Sequence, residues 1–252
     1  MTHASVEVAV LGPVAVRGVA GPFRRSAALE LVVYLAFHRR GVSHADWALA
    51  IWPDRAVSLP TVHSTCSDAR RALGRDADGT LRLPRGVHLR LSESVTTDIE
   101  RFALLADSDD PLRLFRAMQL IRGRVFSGLR RTDWAVFDGT QSEIESLVAR
   151  TALRGADGLV RGGHGAEAEW MVRRALLVSP YDERLYRALL RATSAQGNRA
   201  GLRSAMAQLR TLAGEVEHPA RAPEGGAGGP EDCLHPDTTA LYRDLLNGSP
   251  VA

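Results

Sequence analysis

Residues 60–74 read PTVHSTCSDARRALG, and their periodicity decides the N-terminal fold. Val62, Cys66, Ala69 and Leu73 recur at i, i+4, i+7 and i+11, a narrow apolar stripe of an α-helix that must face a core. Pro60 suits a first helical turn and Gly74 ends the run, so a helix is predicted over 60–73. At about 100° per residue, Ser64, Ser67, Asp68, Arg71 and Arg75 fall on the opposite, outward face, flanked by Thr61, His63 and Arg70. Arginine reads guanine in a major groove, and serine or threonine touches phosphate there. An ordinary solvated face has the same composition, and residue chemistry alone does not separate the two readings. Cys66, on the apolar stripe, is expected as a small buried side chain rather than a reactive thiol.

Working outward, Ser43 with Asp46 three residues later forms a capping-box pattern, and a short helix runs from there to Trp52 before Pro53. Another helix is predicted from Ser26 to Arg39, with Leu29, Val32, Val33, Ala36 and Phe37 at helical spacing and Gly41 closing it. Residues 5–18, SVEVAVLGPVAVRG, read as two short strands about Gly12-Pro13. Residues 80–91, TLRLPRGVHLRL, read as two more about Pro84-Arg85-Gly86. Strands, three helices and a terminal hairpin within 1–95 describe a winged-helix (α+β) domain with an extra N-terminal sheet.

From Thr97 the pattern turns helical, with segments predicted at 98–106, 111–122, 140–161, 165–178, 182–196, 199–214 and 237–246. Gly163 and Gly197 lie 34 residues apart, each followed three positions on by Ala. That is the period of tetratricopeptide helix pairs, so 96–252 is expected to be an all-α, tetratricopeptide-like domain. Residues 219–230, PARAPEGGAGGP, lack the lysine and strand-to-helix context of a phosphate loop and read as a flexible loop.

Composition narrows the chemistry. The 252 residues are 45% hydrophobic and 24% charged, an ordinary globular balance. All 32 basic residues are arginine. Without lysine, a Walker A loop, a Schiff base and a lysine general base are excluded. The net charge of +3 is uneven: residues 1–95 hold 12 Arg against 8 acids, and 217–252 hold 2 against 6. A mildly basic N-terminal third permits nucleic-acid contact without demanding it. Cys66 and Cys233 are too few and too distant for a disulfide framework or zinc site. His38, His44 and His164 have no ligand-spaced partner, so no metal and no cofactor are expected. The sequence has no apolar run of membrane-spanning length and no signal-like start, and a cytoplasmic location is expected. Asp109-Asp110 and Asp182-Glu183 sit at helix starts, where carboxylates complement the dipole. Trp134, Trp170, Tyr181 and Tyr186 fall at apolar helical positions as core or groove residues. No nucleophile, base and oxyanion site assemble, and an enzyme is not expected.

The run from Thr61 to Gly74 resembles the recognition-helix segment of SARP-type bacterial transcription activators, which reads T-L-x-V-H-V-S-R-L-R-K-A-L-G. Ala50-Ile51-Trp52-Pro53-Asp54 is similar to their A-L-W-x-D helix end. Pro84 to Leu89, then Asp98-Ile99-Glu100-Arg101-Phe102, resemble their wing and following D-x-x-x-F motif. Ser179 to Leu185 is similar to the P-x-x-E-R-L signature of the bacterial transcriptional activation domain. The resemblance spans nearly the whole chain, with its motifs in order. It implies a response-regulator-type winged helix joined to a helical activation domain, binding tandem promoter repeats as a homodimer and recruiting RNA polymerase. Two positions depart from the pattern: the family's arginine after the helix serine is Asp68, and its histidine is Thr65.

The leading expectation is a DNA-binding transcriptional regulator, an activator, with helix 60–73 in the major groove of double-stranded DNA and the 80–91 hairpin beside it. Thr61, His63, Ser64, Ser67, Arg70 and Arg71 on the helix, with Arg82 and Arg85 from the wing, are the candidate contacts. The helical domain would meet RNA polymerase or another protein. The alternative is a protein-interaction or signalling module with a degenerate winged helix, motivated by Asp68, since an outward carboxylate repels phosphate. A small-ligand sensor is a third reading.

Overall fold

In a computed structural model, residues 5–217 and 234–248 are described. The chain forms two compact units. The first comprises Met1–Leu104 with Arg122–Ile144, and the second Leu105–Ile121 with Glu145–Ala252. These limits do not coincide with a division at residue 95, because 122–144 pack with the N-terminal residues.

In the first unit, β1 (Val6–Ala9) and β2 (Ala15–Arg17) pair antiparallel, as their alternation predicts. β5 (Val95–Thr97) adds to the free edge of β1 in parallel, with Val6 opposite Val95. Three helices follow the first hairpin: α1 (Ser26–Phe37), α2 (His44–Ile51) and α3 (Leu59–Leu73). The predicted capping box closes at α2, where the Ser43 hydroxyl accepts the Asp46 N–H and the Asp46 carboxylate accepts the Ser43 N–H. The core is apolar and tight: Leu31, Leu35, Trp47, Ile51, Leu73 and Leu89 are all but inaccessible. Gly74, at φ +72, ends α3 with Ala20 where a β-carbon would stand.

The expected hairpin within 80–91 is mostly irregular. Its only strand, β4 (His88–Leu89), pairs with β3 (Val42–Ser43) instead of with the other arm. Leu81 makes a single bridge, to Arg75. Pro84 breaks the first arm by withholding an N–H, while Val42 and Ser43 offer an unpaired edge beside Leu89.

The segment 122–144 returns to the sheet. Arg122 N–H donates to Leu11 O at 2.6 Å, Phe126 N–H to Val10 O at 3.0 Å, and Val14 N–H to Ser127 O at 2.9 Å. Gly12, at φ +143, permits this approach, since a β-carbon there would lie 2.7 Å from Arg122 Cβ. The predicted helix 111–122 therefore stops at Met118 as α5 (Pro111–Met118), the following residues turning to meet Leu11. α6 (Asp133–Phe137), not anticipated from the sequence, sets Trp134 against Tyr34, His38 and Phe126. Asp98, 1% exposed, gathers these pieces: its carboxylate accepts Val10 and Leu11 N–H at 2.8 and 3.1 Å and the Arg122 guanidinium at 3.2 Å. It also opens α4 (Asp98–Ala106).

The second unit is helical. From Glu145 on, α7 (Thr140–Arg161) belongs to it and leads into α8 (Gly165–Leu176), α9 (Glu183–Ala195), α10 (Arg199–Glu217) and α11 (Pro236–Asn247). α9 packs against α8, α10 and α11, and α5 against α8. The 34-residue spacing matches the breaks between α7 and α8 and between α9 and α10. Asp110 and Asp182 cap α5 and α9, accepting Leu112 and Arg184 N–H at 3.0 and 2.9 Å. Tyr186 is buried as expected, whereas Tyr181 is 61% exposed on a turn and belongs to no core. Residues 219–230 and Cys233 lie outside the described residues.

Candidate nucleic-acid interface

Helix α3 carries the candidate site, and its exposed row differs from the one the helical wheel gives. Val62, Cys66, Ala69 and Leu73 are buried, as the apolar stripe requires. Thr65, Asp68 and Ala72 are buried too, as a second row. The reason is a second covering element: residues 20–25 run along α3, with Ala20 N–H donating to Ala72 O at 2.8 Å. What faces water is the row His63, Ser67 and Arg71, with Thr61, Ser64 and Arg70 half-buried at its margins.

Asp68 therefore does not stand on the outward face. It is 3% exposed, and its Oδ2 accepts the backbone N–H groups of Arg24 and Arg25, each at 2.9 Å. Arg25 is the N-cap of α1 and makes no side-chain cap. Asp68 thus supplies, from 43 residues away, the acceptor for the N-cap N–H that the N3 side chain of a capping box would provide. Its Oδ1 pairs with the guanidinium of Arg71. The carboxylate is fully partnered and turned inward, so it does not confront a phosphate on the exposed row.

Of the other candidates, Arg82 is also spent inside. It is 6% exposed, its Nε donates to Asp76 Oδ1 at 3.0 Å, and one terminal nitrogen donates to Leu73 O at 2.9 Å. Its position in an alternating arm suggested an outward wing contact, but that arm folds under and uses the guanidinium to close the C-terminus of α3. Arg70 braces the wing, donating to Leu83 O at 3.1 Å and Pro84 O at 3.3 Å. Burial above all, with the neighbouring Arg85 charge, pushes its guanidinium pKa down. Arg85 is exposed at the wing tip and makes no hydrogen bond or ion pair among the described residues. Thr61 and Ser64 serve the helix start: the Thr61 hydroxyl meets that of Ser58 at 3.0 Å, and the Ser64 hydroxyl donates to Thr61 O at 3.0 Å. The His63 ring lies edge-on to that of His44, 6.4 Å between centroids. Burial pushes the Cys66 thiol pKa up, which fits an inert core residue.

The exposed row thus offers one guanidinium, one imidazole and one hydroxyl in line on a helix, with Arg85 projecting from the adjoining loop. Such a face can donate to base edges and phosphates. Sequence reasoning missed Arg24 and Arg25, because nothing in a dipeptide before a helix tells that it lies against α3. Among the described residues, no group of three or more His, Cys, Asp or Glu is placed to hold a metal ion. No helix there is long and apolar enough to cross a membrane.

Comparison with known proteins bears on the rest of the chain. Residues 99–216 match the family model of the bacterial transcriptional activator domain. The structure of Mycobacterium tuberculosis EmbR in complex with a low-affinity phosphopeptide is similar, with a TM-score of 0.65 at 20% sequence identity. The similarity covers 98% of this chain but 66% of that one, slightly under two thirds of its length, and identity that low speaks for the fold alone. No curated protein matches this sequence. The family match takes in Ser179 to Leu185, the stretch similar to the signature of that domain.

Proposed function

We propose, for a chain whose residues 99–216 match the family model of the bacterial transcriptional activator domain, that the first unit is a winged helix that binds double-stranded DNA through α3 and that the protein is a transcriptional activator. The observation that carries the reading is the exposed row His63, Ser67 and Arg71, backed by a helix buried on both flanks. A helix so anchored presents its row rigidly, which base readout needs. Arg71 would read a base edge or hold a phosphate, Ser67, Ser64 and Thr61 would make short polar contacts, and Arg85 would reach the backbone from the wing. Arg70 would act indirectly, by fixing the wing. The helical domain would engage RNA polymerase or a protein partner, and a homodimer would read tandem sites. The motive for a degenerate, non-binding helix was an outward Asp68, and Asp68 is buried.

A second reading has its own observation. Beside α3, a groove of about 700 Å³ is lined largely by Ala48, Leu49, Trp52, Val57 and Leu59. Leu49 and Leu59 there are 66% and 70% exposed. Unpartnered apolar surface of this kind fits a protein contact, so the first unit would meet a protein as well as, or instead of, DNA.

Electrophoretic mobility shift with the upstream region of the protein's own gene, at about 50 and 200 mM salt, tests the DNA reading. A discrete complex that survives unrelated competitor and weakens with salt is expected. Absence of any complex at low salt, with the fold intact, contradicts it.

A further inference from the structure

We propose that Arg24 and Arg25 form a two-arginine clamp for the DNA phosphate backbone alongside α3 and beside Arg71, organised by the buried carboxylate of Asp68. The proposal rests on the DNA reading above and extends it to residues outside the helix and the wing. Four N–H groups bind the segment before α1 to α3: those of Ala20 and Gly21 donate to Ala72 O, and those of Arg24 and Arg25 to the Asp68 carboxylate. The same carboxylate takes the Arg71 guanidinium. All three arginines are therefore rooted at one point on the flank of the exposed row.

Their charge is directed outward. Arg24, Arg25 and Arg71 are exposed, while Asp68 is inside. Among the described residues, neither the Arg24 nor the Arg25 side chain makes an ion pair or hydrogen bond. Folding has thus left two guanidinia without carboxylates next to the one arginine of the exposed row, although acids nearly balance arginines in the chain as a whole. Phosphates along a duplex edge are the partner such a spacing of cations suits, since guanidinium binds them by paired N–H donors and needs no sequence. Asp68 is a positioning residue here. It pins the arginine-bearing backbone against α3, so that the clamp grips the strand flanking the groove.

The test is the salt dependence of binding to a mixed-sequence duplex for the full chain, for Arg24→Ala/Arg25→Ala, and for Arg24→Lys/Arg25→Lys, with Arg150→Ala as a control. Each phosphate contact contributes about 0.9 to the slope of log affinity against log salt. The double alanine variant should lose about two units of slope and bind more weakly at low salt. The lysine pair should keep the slope, and Arg150→Ala should match the wild type. Wild-type binding with an unchanged slope in the alanine variant overturns the clamp and leaves the DNA reading standing. A wild type that binds no duplex at low salt overturns both.

Discussion

Asp68 and Arg71 form an ion pair one turn apart on α3, with the carboxylate buried and the guanidinium nearly half exposed. The pair joins the structural and the functional faces of the helix. The inner partner holds the backbone entering α1 by the N–H groups of Arg24 and the N-cap Arg25, and the outer partner belongs to the row that meets solvent.

Replacing Asp68 with Ala should destabilise the fold by about 2 kcal/mol, because two N–H groups at a helix start lose their acceptor. Ser67→Ala, on the exposed row, should change stability by less than about 0.5 kcal/mol. Asp68→Arg, which an outward position would make a gain in DNA affinity, should instead unfold the first unit. Chemical denaturation of the three variants checks this, and equal stabilities contradict the inward position.

Arg82 and Arg71 should separate fold from binding. Arg82→Ala leaves Asp76 and Leu73 O without their guanidinium and should cost about 2–3 kcal/mol of stability. Arg71→Ala takes only a half-exposed guanidinium from Asp68, which keeps its two backbone N–H donors, and should cost less, about 1 kcal/mol. A thermally intact Arg82→Ala that binds DNA poorly would return Arg82 to the interface.

Acid should loosen the wing first. Burial alone would raise the Asp76 carboxyl, but the Ser94 and Ser92 hydroxyls and the Arg82 guanidinium hold it below the usual carboxylate range. A pKa lowered by folding stabilises the native state above the unfolded value and loses that contribution as pH falls through the folded one. The Asp76 contribution is then complete at neutral pH and lost below about pH 4. Asp76→Asn should be less stable than wild type at pH 7, with the gap closing in acid. A gap that widens on acidification contradicts the assignment.

Glu30 should behave in the opposite sense. It is buried on α1, and desolvation raises its carboxyl although the Arg130 backbone N–H and the Arg131 and Arg130 charges oppose the rise. A pKa raised by folding means that ionisation at neutral pH works against the native state. Glu30→Gln keeps an acceptor for Arg130 and removes the charge, so it should raise the unfolding midpoint at pH 7. A lower midpoint would show that the arginine partners outweigh the burial.

A fragment ending at residue 95 should not fold cooperatively, since it lacks most of β5, the Asp98 hub and the aromatic residues Phe126 and Trp134. Circular dichroism of 1–95 against the full chain tests this. A sharp thermal transition in the fragment contradicts an N-terminal unit that includes 122–144.

What could be read in advance followed strong local signals. The Ser43 to Asp46 box, the long helices and the 34-residue spacing each lie in one stretch of chain and need no knowledge of distant partners. Asp68 was misplaced because a helical wheel knows one core direction, whereas α3 is covered on a second side by residues 20–25. β5 is three residues long and pairs with a strand some 90 positions earlier, and α6 has five residues, too few to show a period. Arg24 and Arg25 carry no signal of their own, and only the fold sets them beside Arg71.

Whether α3 reads DNA through its exposed row is decided by comparing wild type, Arg71→Ala and Arg150→Ala on one specific duplex and on unrelated competitor. Loss of a bidentate arginine contact to guanine costs about 1–3 kcal/mol. Arg71→Ala should lose that much affinity for the specific duplex and much of its preference over competitor, while Arg150→Ala should retain both. Equal affinity and equal preference in all three proteins would contradict it.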